Sequence, residues 1–168
     1  MKLKMKAKLI GIHNKISITD EKENVVYQVH SEVFFLHNVT YLTDAEGEEI
    51  AAITRKPISM HDVHTIQLVD GTEIELRSEL LHLVTDVLDI EALGWQLTGS
   101  LLQHDYQLKD DQGQLLAQTN RKWLSSDDTY ELDIVDQERT DLIVAVLVAL
   151  DKIMADQQQM IQNADDDA

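Results

Sequence analysis

The chain contains no cysteine. Disulfides and thiolate chemistry are therefore excluded, and the absence suits a reducing compartment. Proline occurs once, at Pro57, between two strand-like runs where a missing N–H does least harm to a sheet. Long apolar runs are missing too. The longest, Leu142-Ile143-Val144-Ala145-Val146-Leu147-Val148-Ala149-Leu150, has nine residues between Asp141 and Asp151, well short of the roughly 20 that cross a bilayer as a helix. The start, Met1-Lys2-Leu3-Lys4-Met5-Lys6-Ala7-Lys8, has no apolar h-region and no cleavage site, so no secretory signal is expected. Basic charge is scarce: 14 Lys and Arg face 31 Asp and Glu, for a net charge of −17. Such a balance repels nucleic acid and anionic lipid as a whole while favouring solubility. There is no P-loop, dinucleotide fingerprint or EF-hand spacing, and Ser125-Ser126 lacks the glycines of a nucleophile elbow. The expectation is a soluble cytoplasmic protein with no cofactor and no nucleic-acid partner.

What the chain has instead is alternation. Short runs rich in Val, Ile, Thr and Tyr alternate apolar with polar residues, as strands with one buried face do. Twelve are expected: residues 4–10, 15–19, 25–31, 39–43, 50–56, 65–69, 72–77, 83–88, 95–100, 105–109, 115–122 and 129–134. Residues 80–93 fit helix and strand about equally. Turn signals separate the runs at Asp20-Glu21-Lys22-Glu23-Asn24, Asp44-Ala45-Glu46-Gly47, Asp70-Gly71 and Asp110-Asp111-Gln112-Gly113. The last three read as hairpins, Asp70-Gly71 as a two-residue one. So many strands in so short a chain curl into a barrel or sandwich. A barrel of this many strands is wider inside than its own side chains fill. The Leu142–Leu150 run is apolar on every side and has to be enclosed. A helix plugging the barrel satisfies both needs. No glycine or proline occurs from Thr140 through Asn163, which favours helix over a buried strand, with Thr140 or Asp141 as the expected cap. One domain is expected over residues 1–156, with the helix at about 140–156 and a flexible acidic tail at 157–168.

Two stretches match at a fixed offset of 66 residues. One reads Leu42-x-Asp44-x-x-Gly47-x-x-x-Ala51-x-x-x-Arg55-Lys56, the other Leu108-x-Asp110-x-x-Gly113-x-x-x-Ala117-x-x-x-Arg121-Lys122. Each describes an Asp/Gly turn followed by a strand, so the expected barrel has two related halves around one helix. The second half reads Gly94-Trp95, then His104-Asp105-Tyr106-x-Leu108, then Ala117-x-x-x-Arg121-Lys122-Trp123-Leu124-Ser125, then Asp128-Thr129-Tyr130-Glu131-Leu132-Asp133-Ile134 and the apolar run. This pattern resembles the LURP-one-related family, a branch of the tubby C-terminal-like superfamily. The resemblance covers nearly the whole chain and is most specific from Gly94 to Met154. It implies a closed twelve-stranded β-barrel around a central hydrophobic C-terminal helix, in a bacterial member of a family without a settled activity. Its relatives include phosphoinositide-binding tubby domains and phospholipid scramblases, whose activities do not transfer on fold alone. In the first half Thr65-Ile66-Gln67-Leu68 takes the place of Thr129-Tyr130-Glu131-Leu132 and lacks the Tyr and the acid, which puts a second, two-fold-related site in doubt.

Several constellations invite chemistry. Arg55-Lys56 and Arg121-Lys122 could hold a phosphate, although alternation sends the two members of each pair to opposite faces. Lys2, Lys4, Lys6 and Lys8 share one face of the first strand, opposite Leu3, Met5, Ala7 and Leu9. Each lysine near an anionic bilayer contributes at most about 1 kcal/mol, roughly 4 for the face. The plainer explanation of that face is protection of a strand edge. His61-Asp62-Val63-His64 suggests a metal, with His37 or His104 to help, but no set of three ligands is evident and no metal site is expected. Trp95, Trp123, Tyr106 and Tyr130 are expected to pack in the barrel wall. The expected function is a non-enzymatic binding or scaffold domain for anionic phospholipid head groups or a protein partner, with peripheral membrane attachment under the lipid version. The alternative is a small-molecule-binding protein or enzyme at a barrel mouth, where His61, His64 or His104 would converge with carboxylates. Oligomeric state is not legible.

Overall fold

The alternating runs become twelve antiparallel strands in the computed structural model, which describes residues 1–6, 15–34, 37–56, 63–77, 87–120 and 129–166. In chain order they are β1 (Lys2–Lys6), β2 (Ile16–Asp20), β3 (Val25–Phe34), β4 (His37–Asp44), β5 (Glu49–Lys56) and β6 (Val63–Leu68), then β7 (Glu73–Arg77), β8 (Val87–Ile90), β9 (Trp95–Ser100), β10 (Asp105–Lys109), β11 (Leu115–Asn120) and β12 (Thr129–Ile134). Among the described residues a single α-helix, α1 (Thr140–Asp166), follows a 3-10 turn at Gln137–Arg139. The strands form one sheet in the order β7-β6-β5-β4-β3-β2-β1-β12-β11-β10-β9-β8. The expected closed barrel is thus nearly closed: among the described residues no ladder joins β7 to β8, and residues 78–86 lie outside them. β1 pairs with β12 on one side and β2 on the other. Its lysines therefore do not guard a sheet edge.

Every strand turns its apolar alternates to one interior. Leu3, Ile18, Leu42, Ile66, Leu108 and Leu132 are all fully enclosed, and they form one cluster with α1. From Ile143 to Leu150 no residue of the helix is more than 2% exposed. Burial on all sides explains why β-branched Ile143, Val144, Val146 and Val148 are helical, since their propensity penalty is only tenths of a kcal/mol each. The cap differs from expectation. Asp136 caps the 3-10 turn, its side chain accepting from the N–H groups of Glu138 and Arg139. Thr140 instead donates to the Gln137 carbonyl, and Asp141 accepts from the Tyr27 hydroxyl at 2.6 Å. Arg139 ties the turn down, bonding Asp136 at 2.7 Å and Asp110 at 3.5 Å. The helix also runs ten residues past its expected end, to Asp166. The run Asp156-Gln157-Gln158-Gln159-Met160 contains nothing that breaks a helix.

The hairpins share one geometry. Asp20, Asp44 and Asp110 each accept, at Oδ1, the N–H four residues on: Asn24 at 2.9 Å, Glu48 at 2.8 Å and Gln114 at 2.9 Å. Three residues span each turn, the third in the left-handed region. The Asp70-Gly71 hairpin has the same form rather than the expected two-residue one. Leu68 N–H donates to Thr72 O, Gly71 N–H donates to Leu68 O, and Gly71 has φ +88°. Glycine here is the third residue of a three-residue loop, the position that needs a positive φ. The two matched hairpins agree in detail. Leu42 faces Ala51 as Leu108 faces Ala117, and both ladders slip at the next residue, Thr43 and Lys109.

Candidate functional site

Strand direction sorts the molecule into two ends. The three-residue turns and the start of α1 share one end; the far half of α1 leaves by the other. Three contacts identify this exit end. Tyr130, second residue of β12, donates to Asp151 at 3.3 Å. His64, second residue of β6, meets Asp156 at 3.3 Å. Lys6 lies opposite Thr129 and Asn120 opposite Glu131, so β1 and β11 also end here. β5 ends here as well, since Lys56 is opposite Val63.

The expected basic residues divide accordingly. Lys2 and Lys4 project from the outer wall, because their neighbours Leu3 and Met5 are fully buried. Lys2 pairs with Glu131 at 3.0 Å and Lys4 with Glu23 at 2.5 Å. The hydrogen bond each donates to its glutamate raises its pKa. Arg55 and Lys56 are at the exit end. Arg55 has the parity of buried Ala51 and Ile53 and is exposed at the mouth, while Lys56 falls on the opposite parity. Lys8, Arg121 and Lys122 lie outside the described residues, as do His61 and Trp123, and Lys6 is placed by its backbone alone.

Polar groups that were not expected gather where α1 passes out of the barrel. Asp151 was read as a flank of the apolar run, yet it and Lys152 are buried, and Ile153 and Met154 resume the apolar surface behind them. That resumption was the available signal. Asp156 accepts from Lys152 at 2.5 Å with one oxygen and faces His64 with the other. Burial alone would raise the Asp156 carboxyl, but the contacts with His64 and Lys152 outweigh it and hold the carboxyl below its ordinary value. Among the described residues Asp151 has Tyr130 as its one side-chain partner, and burial pushes its carboxyl up to about 7. Tyr106 and Tyr130 are pushed far up, by burial first and then by the nearby Asp151 charge. His104 stacks on Tyr130, with ring centroids 4.3 Å apart. Tyr106 and Trp95 lie in the wall as expected.

Register also corrects the comparison of the two halves. Ala51 faces Leu68 as Ala117 faces Ile134. The counterpart of Tyr130 is therefore His64, not Ile66. Each touches a carboxylate of α1. Among the described residues no group of three or more His, Cys, Asp or Glu could hold an ion. A separate cleft of about 370 Å³ opens in the wall between β9, β10 and β11, lined by Thr98, Gly99, Asp105, Tyr106, Gln107, Gln118 and Thr119. There the Thr119 hydroxyl takes over the ladder, accepting from Tyr106 N–H at 2.8 Å and donating to Tyr106 O at 3.2 Å.

A nearly closed antiparallel barrel plugged by one C-terminal helix, with polar anchors at the helix exit, is the architectural class to which this chain is assigned. The chain belongs to the LURP-one-related family, whose sequence model spans residues 1–151. It is similar to the uncharacterised protein YxjI of Bacillus subtilis (strain 168), with 25% identity over 154 residues, covering 92% of this chain and 94% of that one. Its fold is similar to the X-ray structure of a protein from Arabidopsis thaliana, at a TM-score of 0.50 and 17% identity, covering 89% of this chain and 90% of that one. Among the described residues no helix is long and apolar enough to cross a membrane.

Proposed function

We propose that the protein is a non-catalytic binding domain that recognises anionic phospholipid head groups at the exit rim of the barrel, peripherally at a cytoplasmic membrane face. The observation that carries this reading is the enclosure of α1. A core filled from Ile143 to Met154 leaves the surface and rim as the places to bind. Chain topology supports the rim, because β1, β5 and β11 all end there and bring Lys6, Arg55 and Lys56 with them, followed in sequence by Lys8, Arg121 and Lys122. Lys2 and Lys4 share their charge with Glu131 and Glu23, so they contribute less. The net charge of −17 opposes approach, which makes the attraction local and dependent on salt.

Co-sedimentation with phosphatidylserine-containing vesicles tests this, with phosphatidylcholine vesicles as reference. Binding is expected to fall as salt rises and to vanish when Lys6, Lys8, Arg55, Lys56, Arg121 and Lys122 become Gln. No binding to anionic vesicles, or full binding by a folded variant, overturns the lipid reading. The second reading, a small-molecule site at the mouth, is favoured by the His64–Asp156 contact there. Binding that soluble inorganic phosphate competes away as well as vesicles do would support it instead.

A further inference from the structure

Asp151 is one residue past the apolar run and still inside the barrel, 7% exposed. Its Oδ2 accepts from Tyr130. Among the described residues its Oδ1 is buried with no hydrogen-bond partner, while the buried Tyr106 hydroxyl lies beside that of Tyr130. An ionised carboxylate with one dry, unpaired oxygen is strongly disfavoured, because lost hydration is not replaced. A carboxylic acid at the same place carries less charge and has a proton to donate.

We propose that Asp151 is a buried proton-binding site: the folded protein holds it as the neutral acid, protonated on Oδ1, and loss of that proton loosens the exit half of α1 from the barrel wall. The groups packed around it agree. From β12 comes the Tyr130 hydroxyl, which also approaches Met5 Sδ of β1 at 3.7 Å. From β10 comes Tyr106, whose ionisation the Asp151 charge opposes. His104, between β9 and β10, lies flat on Tyr130. Among the described residues, Lys152 and His64 are both engaged with Asp156. Phenols stay neutral at physiological pH and cannot balance a carboxylate. Burial places the Asp151 carboxyl at about 7, with the Tyr130 hydrogen bond pulling the other way.

The direction of the effect follows. A carboxyl raised from 3.8 in the unfolded chain to about 7 in the fold binds its proton more tightly when folded. Its contribution to stability is complete below the ordinary value, is lost as pH rises from there to about 7, and stays lost above. The folding constant of the wild type relative to Asp151→Asn should fall about tenfold per pH unit across that window, roughly a hundredfold between pH 5 and pH 8. Urea unfolding of both proteins at each pH measures it. A ratio constant within about threefold overturns the proposal. Should the Asn variant fail to fold, the carboxyl carbon-13 signal of Asp151 in the wild type decides: a midpoint near 7 supports the proposal, and one near 4 overturns it. Hydrogen exchange of residues 146–154, corrected for intrinsic rates, should quicken between pH 6 and pH 8. An unchanged rate removes the loosening.

Discussion

The enclosed helix can be challenged directly with Val146→Asp. Val146 has no exposed surface and lies in the middle of Ile143–Leu150. Removing the buried valine side chain forfeits about 1.5 kcal/mol of apolar burial. The new carboxylate is worse. Full burial without a partner raises a carboxyl by up to about 3–5 pH units; once its pKa passes 7 the group takes a proton instead, so the cost at neutral pH is about 4 kcal/mol. The sum, about 5–6 kcal/mol, matches the entire stability of a marginal domain within the usual range of about 5–15 kcal/mol. Asp151 provides an internal comparison: the same helix carries a carboxyl group there, raised by burial to about 7, and Tyr130 reaches it. Soluble yield, size-exclusion profile, far-UV circular dichroism and a urea titration at 25 °C read the outcome. Val146→Ala should remain folded with a loss of about 2 kcal/mol, which separates a smaller side chain from a charged one. A soluble Val146→Asp protein with the wild-type urea midpoint would refute the enclosure.

Two further outcomes test the walls of the barrel. Gly99 has φ +111°, and a Cβ there would sit 2.3 Å from the Asp105 carbonyl oxygen and 2.9 Å from the Tyr106 Cα; Gly99→Ala should lose about 2–4 kcal/mol and lower Tm by roughly 5–15 °C, and an unchanged melting curve would sink the close approach of β9 and β10. Asp156 has a carboxyl held below its ordinary value by His64 and Lys152 against the effect of burial, so its stabilisation is present above about pH 4 and is lost as pH falls through the lowered value. Asp156→Asn should therefore flatten the acid limb of the stability profile relative to wild type, whereas parallel acid limbs would mean the contact contributes nothing.

Alternation carried most of the fold into the sequence. One apolar face per strand is a period-two signal, and β9, β10 and β12 fall on the residues it marks out. The plug was legible because Leu142–Leu150 has no polar side to give to water. Capping was not, because Thr140, Asp141 and Asp136 are all competent caps and only the path of the chain selects Asp136. The polar anchors were hidden for a related reason. Parity says that Tyr130 points inward, but not that it meets Asp151, since that depends on the rotation and depth of α1 inside the barrel. His64 was obscured by register: read from sequence alone, Thr65-Ile66-Gln67-Leu68 was set against Thr129-Tyr130-Glu131-Leu132, two residues away from the equivalence that the ladders establish. The basic residues were identifiable by type, but their ion pairing was not. The glutamates opposite Lys2 and Lys4 come from β12 and from the β2–β3 turn.

The place of β1 in the sheet has a consequence for how the chain reaches this structure. Its first strand lies against its last, Lys2 opposite Asp133, and the segment that fills the interior follows both. During synthesis the early strands leave the ribosome with neither the partner of β1 nor the filling of the core available. Local hairpins can close at once, since their contacts span few residues, but joining the two halves of the sheet waits for its most distant pairing, β1 with β12. Until α1 arrives, the inner faces of up to twelve strands are wet. Mutations that slow helix docking should thus show first as loss of soluble yield during expression, through exposed strands that find one another between chains, before they show as a lower midpoint in the purified protein.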